Sequence, residues 1–113
     1  MSKFLDFEHS EYMADRVPEH ARESIENYLM LGWNPGGFMS AMFAGDLFRA
    51  AGSGDQANGP SMQGIAKWIM HSSPHGSWGS YELIEKWVKD EDGIRTNFRT
   101  QKEKEYVANA LKA

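Results

Sequence analysis

Apolar residues recur every three or four positions along most of the chain, which is the spacing of amphipathic helices. The clearest stripe lies between Pro18 and Gly32, and it consists of Ala21, Ile25, Tyr28, Leu29 and Met30. Proline is favoured at the start of a helix, and glycine is favoured just after its end. The pattern therefore predicts a helix over residues 19–31.

The next predicted helix begins at residue 35 or 36, runs to about residue 51 and is the most apolar of the chain. Its apolar residues are Phe38, Met39, Ala41, Met42, Phe43, Leu47 and Phe48. Because they occupy more than one face, we expect this helix to be central and buried. Gly45 in its middle suggests close contact with another helix. Asp46 and Arg49 are its only charges, and we expect Asp46 to form an ion pair or to cap a helix.

Three further segments are predicted to be helical: residues 62–71, residues 81–90 with Ser80 as the N-cap, and a charged helix within 93–113. The buried stripe of the first of these includes Met70. Residues 55–61 read equally as a loop or as one helical turn. The last helix is expected to be long and solvated, and pairing with a second copy of the chain is the alternative. No strand-like alternation persists.

We therefore predict one all-α domain over residues 1–113, built as a small compact bundle of four or five short helices. Residues 1–17 are expected to form a loosely held N-terminal arm. The connecting turns are rich in glycine, proline and tryptophan.

Composition and charge narrow the functional classes. The chain has 113 residues, no cysteine and a formal net charge of −4. Without cysteine, disulfides and thiolate metal sites are excluded, and the acidic balance argues against binding of extended nucleic acid. No apolar run approaches the roughly 20 residues that span a bilayer, and acidic residues interrupt the stretch that a signal peptide would keep apolar. We expect a soluble protein of the cytoplasm that does not bind membranes.

Two turns that combine glycine and tryptophan, residues 32–38 and 73–80, carry the candidate ligand site. Each precedes a predicted helix, whose free N–H groups and dipole favour an anion, while an indole ring can stack on a base. The predicted ligand-binding residues are Trp33, Asn34, Gly36, Gly37, Arg49, His71, His75, Trp78 and Ser80. The alternative is structural: the turns form sharp corners, and both indole rings cover the core.

Catalytic and metal chemistry find little support in the sequence. His71 and His75 have a helical spacing, but Pro74 lies between them and no third ligand is near. The serines lack a nucleophile elbow, and no phosphate-binding loop or dinucleotide fingerprint is present. We expect neither a metal nor a cofactor, and we expect that the protein is not an enzyme.

One combination of motifs resembles small accessory proteins of phages and prophages. The similarity covers about residues 18–90. It rests on Pro35-Gly36-Gly37-Phe38, Ala41, Asp46-Leu47, Trp68, Pro74 and Trp78-Gly79-Ser80. It implies no catalytic residue, because no characterised activity accompanies the pattern, and it implies the host cytoplasm as location.

Two roles are natural for such a protein. The first is to bind and sequester a nucleotide-like signal of host immunity. The second is to inhibit a host defence or nucleic-acid-processing protein, for which we expect an exposed apolar patch rimmed by acids, for instance around Asp90, Glu91 and Asp92. A purely structural, oligomeric accessory protein is a third reading. A homo-oligomer is compatible with all of them.

Overall fold

The computed structural model describes residues 4–7, 17–53 and 62–112, and within these ranges every regular element is a helix. In chain order these elements are α1 (Glu19–Glu26), a π-helical turn (Asn27–Leu31), α2 (Gly37–Ala44), α3 (Leu47–Ser53), α4 (Met62–Ser72), α5 (Tyr81–Lys89) and α6 (Ile94–Lys112). This confirms the all-α prediction, although the described residues contain six α-helices where four or five were expected. None of these helices is both long and apolar enough to cross a bilayer.

The first predicted helix is observed as α1 followed without a break by the π-helical turn. All five residues of its apolar stripe are buried, as predicted. The turn ends at Gly32, which adopts the left-handed conformation with φ of 72°. Glycine adopts this conformation without the steric cost that a Cβ atom brings.

The predicted helix over residues 35–51 is instead two helices, and this part of the prediction is wrong. Gly45 has φ of 78° and caps the end of α2, so the chain turns there before α3 begins. The expected close contact at Gly45 is not found among residues 4–7, 17–53 and 62–112, because beyond the glycine's own chain neighbours none of their heavy atoms lies within 4 Å of a Cβ built there. Because the chain turns at Gly45, α2 is buried as predicted for the central segment, whereas Leu47 and Phe48 of α3 are exposed. The relative exposure of Phe48 is 89%.

The core is aromatic and joins α2, α5 and the π-helical turn. The Tyr28 ring packs edge-on against Phe43 with centroids 4.7 Å apart, and Trp87 packs beside it at 6.3 Å. The Trp87 indole N–H donates to the carbonyl oxygen of Tyr28 at 3.1 Å. The Tyr28 hydroxyl in turn donates to the buried carbonyl of Ser77 at 2.7 Å. These bonds satisfy polar groups that burial would otherwise leave unpaired.

The turn that precedes α5 is attached to the end of α2 by a backbone hydrogen bond. The N–H of Gly79 donates to the carbonyl of Phe43 at 2.8 Å. The beginning of α5 is thereby held against the end of α2 and the beginning of α3. This arrangement determines which side chains meet on the surface between these three helices.

Residues 4–7 pack on the bundle, where a loosely held arm was expected. Phe7 is buried against the Trp68 ring, with centroids 4.7 Å apart, and the Trp68 indole N–H donates to the carbonyl of Asp6. The Glu26 carboxylate accepts the backbone N–H of Phe4 at 2.6 Å. Residues 1–3 and 8–16 of the predicted arm, and the ambiguous segment 55–61, lie outside the described residues.

The helix α6 has no buried residue, which agrees with the long solvated helix that was predicted. Its first turns are attached to the bundle by Phe98, whose ring packs against Trp87 at 5.8 Å, and by Arg95. The Arg95 guanidinium donates to the carbonyls of Trp87 and Val88. Met70 of α4 was predicted to be buried and is exposed instead.

Candidate functional site

Four of the nine predicted ligand-binding residues line one groove of about 430 Å³. They are Asn34, Gly36, Gly37 and Arg49. The other side of the groove is formed by one face of α5. The residues that α5 contributes are Tyr81, Ile84, Glu85, Val88 and Lys89, which recur at helical spacing.

The Gly36–Gly37 turn presents the beginning of α2 to this groove. The Asn34 side-chain oxygen accepts the N–H of Gly36 at 2.9 Å, which holds the turn in place. Gly36 has φ of 88°, a conformation that favours glycine. Within the described residues no side chain caps α2, and its first turn contains no acidic residue. Its first N–H groups and the positive end of its dipole are therefore available to an anion.

Arg49 lies between the Gly37 turn and the ring of Tyr81. Its guanidinium carbon is 5.2 Å from the centroid of the ring, a cation–π distance. One of its terminal nitrogens would lie 4.0 Å from a Cβ atom built on Gly37. A positive charge is thus placed beside the uncapped beginning of α2.

The Asp46 carboxylate organises the end of the groove that Tyr81 occupies. It accepts the Tyr81 hydroxyl at 2.7 Å and the backbone N–H of Arg49 at 3.3 Å, and the second bond caps α3. The hydrogen bond from Tyr81, followed by the one from Arg49, holds the pKa of Asp46 below its usual range. The predicted capping role of Asp46 is confirmed. The Asp46 carboxylate thus accepts hydrogen bonds from two residues of the bundle, Tyr81 and Arg49.

A second basic side chain, Lys89, borders the groove at the end of α5. Its ammonium is 2.7 Å from the Glu85 carboxylate, and both side chains are more than half exposed. This pair raises the pKa of Lys89 and lowers that of Glu85. The ion pair is exposed to water, so an incoming anion can compete for Lys89 at small cost.

The other predicted site residues do not line this groove. Trp33 is 59% exposed beside Asn34 in the sequence, whereas Trp78 is partly buried and packs on the core. The structural alternative therefore describes Trp78 but not Trp33. Ser80 caps α5, as predicted, with its hydroxyl accepting the N–H of Leu83 at 3.1 Å. The two predicted histidines, His71 and His75, are exposed and also lie outside the lining.

Tyr81 and Lys89 were missed by the sequence-based prediction. Tyr81 directly follows the Trp78-Gly79-Ser80 motif, and Lys89 lies two helical turns farther along the same face. Helical periodicity from Tyr81 could have indicated Lys89. The hydrogen bond between Tyr81 and Asp46 joins residues 35 positions apart, so no local sequence pattern could have predicted it.

Asp90 was expected on an acidic surface, but its side chain is only 9% exposed and caps α6. It accepts the backbone N–H groups of Arg95 and Thr96 and the Thr96 hydroxyl. The bond from the Thr96 hydroxyl is the main reason why the pKa of Asp90 is lowered. Asp90 also has a left-handed backbone with φ of 53°, which reverses the chain between α5 and α6.

Across the described ranges no three His, Cys, Asp or Glu side chains lie close enough together to hold a metal ion. Comparison with protein-family models, with curated proteins and with solved structures gave no match. The resemblance to small phage proteins stays a prediction.

Proposed function

We propose that this protein binds a small phosphate-bearing, nucleotide-like molecule in the groove between α2, α3 and α5, and that it sequesters this molecule without transforming it. The observation that carries the proposal is the convergence of the Gly36–Gly37 turn, Arg49 and Lys89 on one groove. Proteins hold phosphate through backbone N–H groups at a helix start and through the planar fork of an arginine side chain.

The size and charge of the groove support this class of ligand. Its volume of about 430 Å³ lies in the range of small-molecule sites. Arg49 supplies a positive charge close to α2, although the chain as a whole carries −4. A local positive site on an acidic protein selects a small anion over an extended nucleic acid, because the surrounding negative charges repel a long polyanion.

Two aromatic residues are candidates for stacking on a base. Tyr81 lines the groove, and Trp33, which is 59% exposed, directly precedes Asn34 of the lining. Stacking of a base on an aromatic ring contributes roughly 1–3 kcal/mol. The lining contains no histidine, and we propose storage of the ligand rather than turnover. The resemblance to phage proteins supplies the context in which a host immune signal is that ligand.

The proposal is tested by thermal unfolding in the presence of cyclic dinucleotides, cyclic trinucleotides, NAD and ADP-ribose. A ligand at a hundredfold excess over its Kd stabilises the folded state by about 2.7 kcal/mol, which raises Tm by roughly 10 °C in a domain of this size. Recovery of the ligand unchanged after heating the complex is expected of a protein that only sequesters it.

Two variants separate binding from stability. Arg49→Gln keeps a polar side chain that can donate hydrogen bonds but removes the charge, and we expect at least a tenfold loss of affinity because hydrogen bonds to charged groups contribute about 1.5–3 kcal/mol. Gly37→Ala should stabilise the fold, since Gly37 is helical and the new methyl group makes only an ordinary contact with Arg49. The same methyl group obstructs the approach of phosphate to the N–H groups of α2, so ligand binding should weaken.

Arg99→Gln is the matched control, because Arg99 lies on exposed α6 and forms an ion pair with Glu103 of the same helix. It removes the same charge far from the groove along the chain and should leave binding unchanged. Equal losses of affinity in Arg49→Gln and Arg99→Gln would contradict the proposed site. Absence of any stabilisation across the whole panel of ligands would contradict the proposed class of ligand.

A further inference from the structure

A second groove, of about 350 Å³, lies between α5 and the beginning of α6. Its floor is apolar and is formed by Leu83, Trp87 and Ile94, of which Ile94 is 49% exposed. Ile94 lies near Gly76, since one of its side-chain carbons would be 3.9 Å from a Cβ atom built on that glycine. Apolar surface of this kind is available to another molecule.

The rim of this groove carries most of the excess charge of the protein. It contains five acidic residues and two lysines: Glu82, Glu85, Asp90, Glu91, Asp92, Lys86 and Lys89. The excess of three negative charges is most of the formal net charge of −4. A partner that fits this surface must therefore be positively charged.

Three of the rim carboxylates are available to such a partner. Asp90 is occupied by its bonds to the start of α6, and Glu85 is paired with Lys89. Glu82, Glu91 and Asp92 form no ion pair with the rest of the described chain.

We propose that this groove docks a positively charged segment of a partner protein through an arginine or lysine side chain. The aliphatic stem of that side chain lies on the floor formed by Leu83 and Ile94, and its charged end meets Glu82, Glu91 or Asp92. Long basic side chains combine an apolar stem with a charged end in this way. The volume suits one such side chain, because it is near the lower limit for small-molecule pockets.

This inference is independent of the proposed ligand function. The two grooves share only Glu85 and Lys89 among their lining residues. Failure of one proposal therefore leaves the other intact.

The experiment uses the full chain and a fluorescent ten-residue peptide of alternating arginine and leucine. Binding is measured by fluorescence anisotropy, and ¹⁵N NMR spectra locate the contact. We expect the affected backbone N–H signals to be those of Gly76, Leu83, Glu91, Asp92 and Ile94, while those of the Gly36–Gly37 turn stay in place. A peptide of alternating arginine and serine should bind several-fold more weakly, since it cannot add apolar contacts to the floor.

The decisive comparison is between two doubly neutralised variants of equal net charge. Glu91→Gln/Asp92→Asn removes two charges from the rim, and we expect about fivefold weaker peptide binding at low salt. Glu19→Gln/Glu23→Gln removes two exposed charges from α1 and should change the affinity less than twofold. Ile94→Thr tests the floor and should weaken the Arg/Leu peptide while leaving the Arg/Ser peptide unchanged.

Several outcomes would overturn the inference. Equal weakening in the two neutralised variants would show attraction to the net charge rather than to this groove. Signal changes that map elsewhere, or no binding of the Arg/Leu peptide at millimolar concentration, would exclude the surface. Displacement of the peptide by equimolar spermidine or Mg²⁺ would identify a site for small cations instead of a partner protein.

Discussion

Tyr28 and Tyr81 offer a comparison in which the same oxygen atom is removed from a buried and from an exposed hydrogen bond. Tyr28 is fully buried and donates to the buried carbonyl of Ser77 at 2.7 Å. Tyr81 is 41% exposed and donates to Asp46 at the same distance. The substitutions Tyr28→Phe and Tyr81→Phe therefore differ in burial and not in the length of the bond that they remove.

The structure predicts a clear difference in stability. Tyr28→Phe leaves the Ser77 carbonyl buried without its donor, and this costs about 1–3 kcal/mol in the free energy of unfolding. With about 4 °C of Tm per kcal/mol for a domain of this size, we expect Tm to fall by roughly 4–12 °C. In Tyr81→Phe, water replaces the lost donor, so the change should stay within about 0.5 kcal/mol.

The assay is urea unfolding with a parallel thermal scan, and NMR titration of Asp46 supplies an independent readout. Tyr81→Phe should raise the pKa of Asp46 towards its ordinary value, because the Tyr81 hydroxyl is the main cause of its lowering. A loss of stability in Tyr81→Phe that equals or exceeds the loss in Tyr28→Phe would refute the reasoning from burial. Unchanged stability in Tyr28→Phe would refute the importance of its bond to Ser77.

Alkaline pH tests the same tyrosine. Burial raises the pKa of Tyr28 above its ordinary value of about 10. The unfolded chain then loses this proton at a lower pH than the folded chain does. The contribution of the protonated Tyr28 hydroxyl to the free energy of unfolding is complete below pH 10. It is lost as pH rises towards the raised pKa of Tyr28, at about 1.4 kcal/mol per pH unit. Tyr28→Phe should remove this component of the alkaline slope.

Two further predictions use matched positions. Gly32→Ala and Gly45→Ala both place a Cβ in the left-handed region, which costs roughly 1–2 kcal/mol, but only at Gly32 would the new atom lie 2.7 Å from the Arg95 guanidinium. Gly32→Ala should therefore lower Tm more than Gly45→Ala, and equal losses would show that Arg95 moves aside freely. Lys89→Gln removes the lysine shared by both grooves and frees Glu85. It should weaken binding of the phosphate-bearing ligand and strengthen binding of the Arg/Leu peptide in anisotropy titrations, and changes of the same sign would contradict the assignment of opposite charges to the two grooves.

Only part of the groove could be predicted from the sequence. Asn34, Gly36 and Gly37 are nearly consecutive, so one turn brings them together, and Arg49 was added because charge is rare in the segment around it. Tyr81 was not predicted as a site residue, because its place depends on how the beginning of α5 packs on α2 and α3. The two predicted histidines lie outside the groove for the same reason. Their spacing in the chain carries no information about the direction in which α4 and the turn after it point.

The sequence by itself determined the helical class, the buried stripe of α1 and the π-helical turn, and the Ser80 cap of α5, because periodicity and capping depend on residues within about one or two turns. Tertiary structure decided where the apolar segment after Gly36 breaks and which of its faces is covered. At Gly45 both signs of φ are accessible, and the packing of α3 beside α2 selects the positive one, which leaves Phe48 in solvent. The meeting of Asp46 with Tyr81 was decided in the same way, since a hydrogen bond across 35 positions exists only after α2 and α5 have packed.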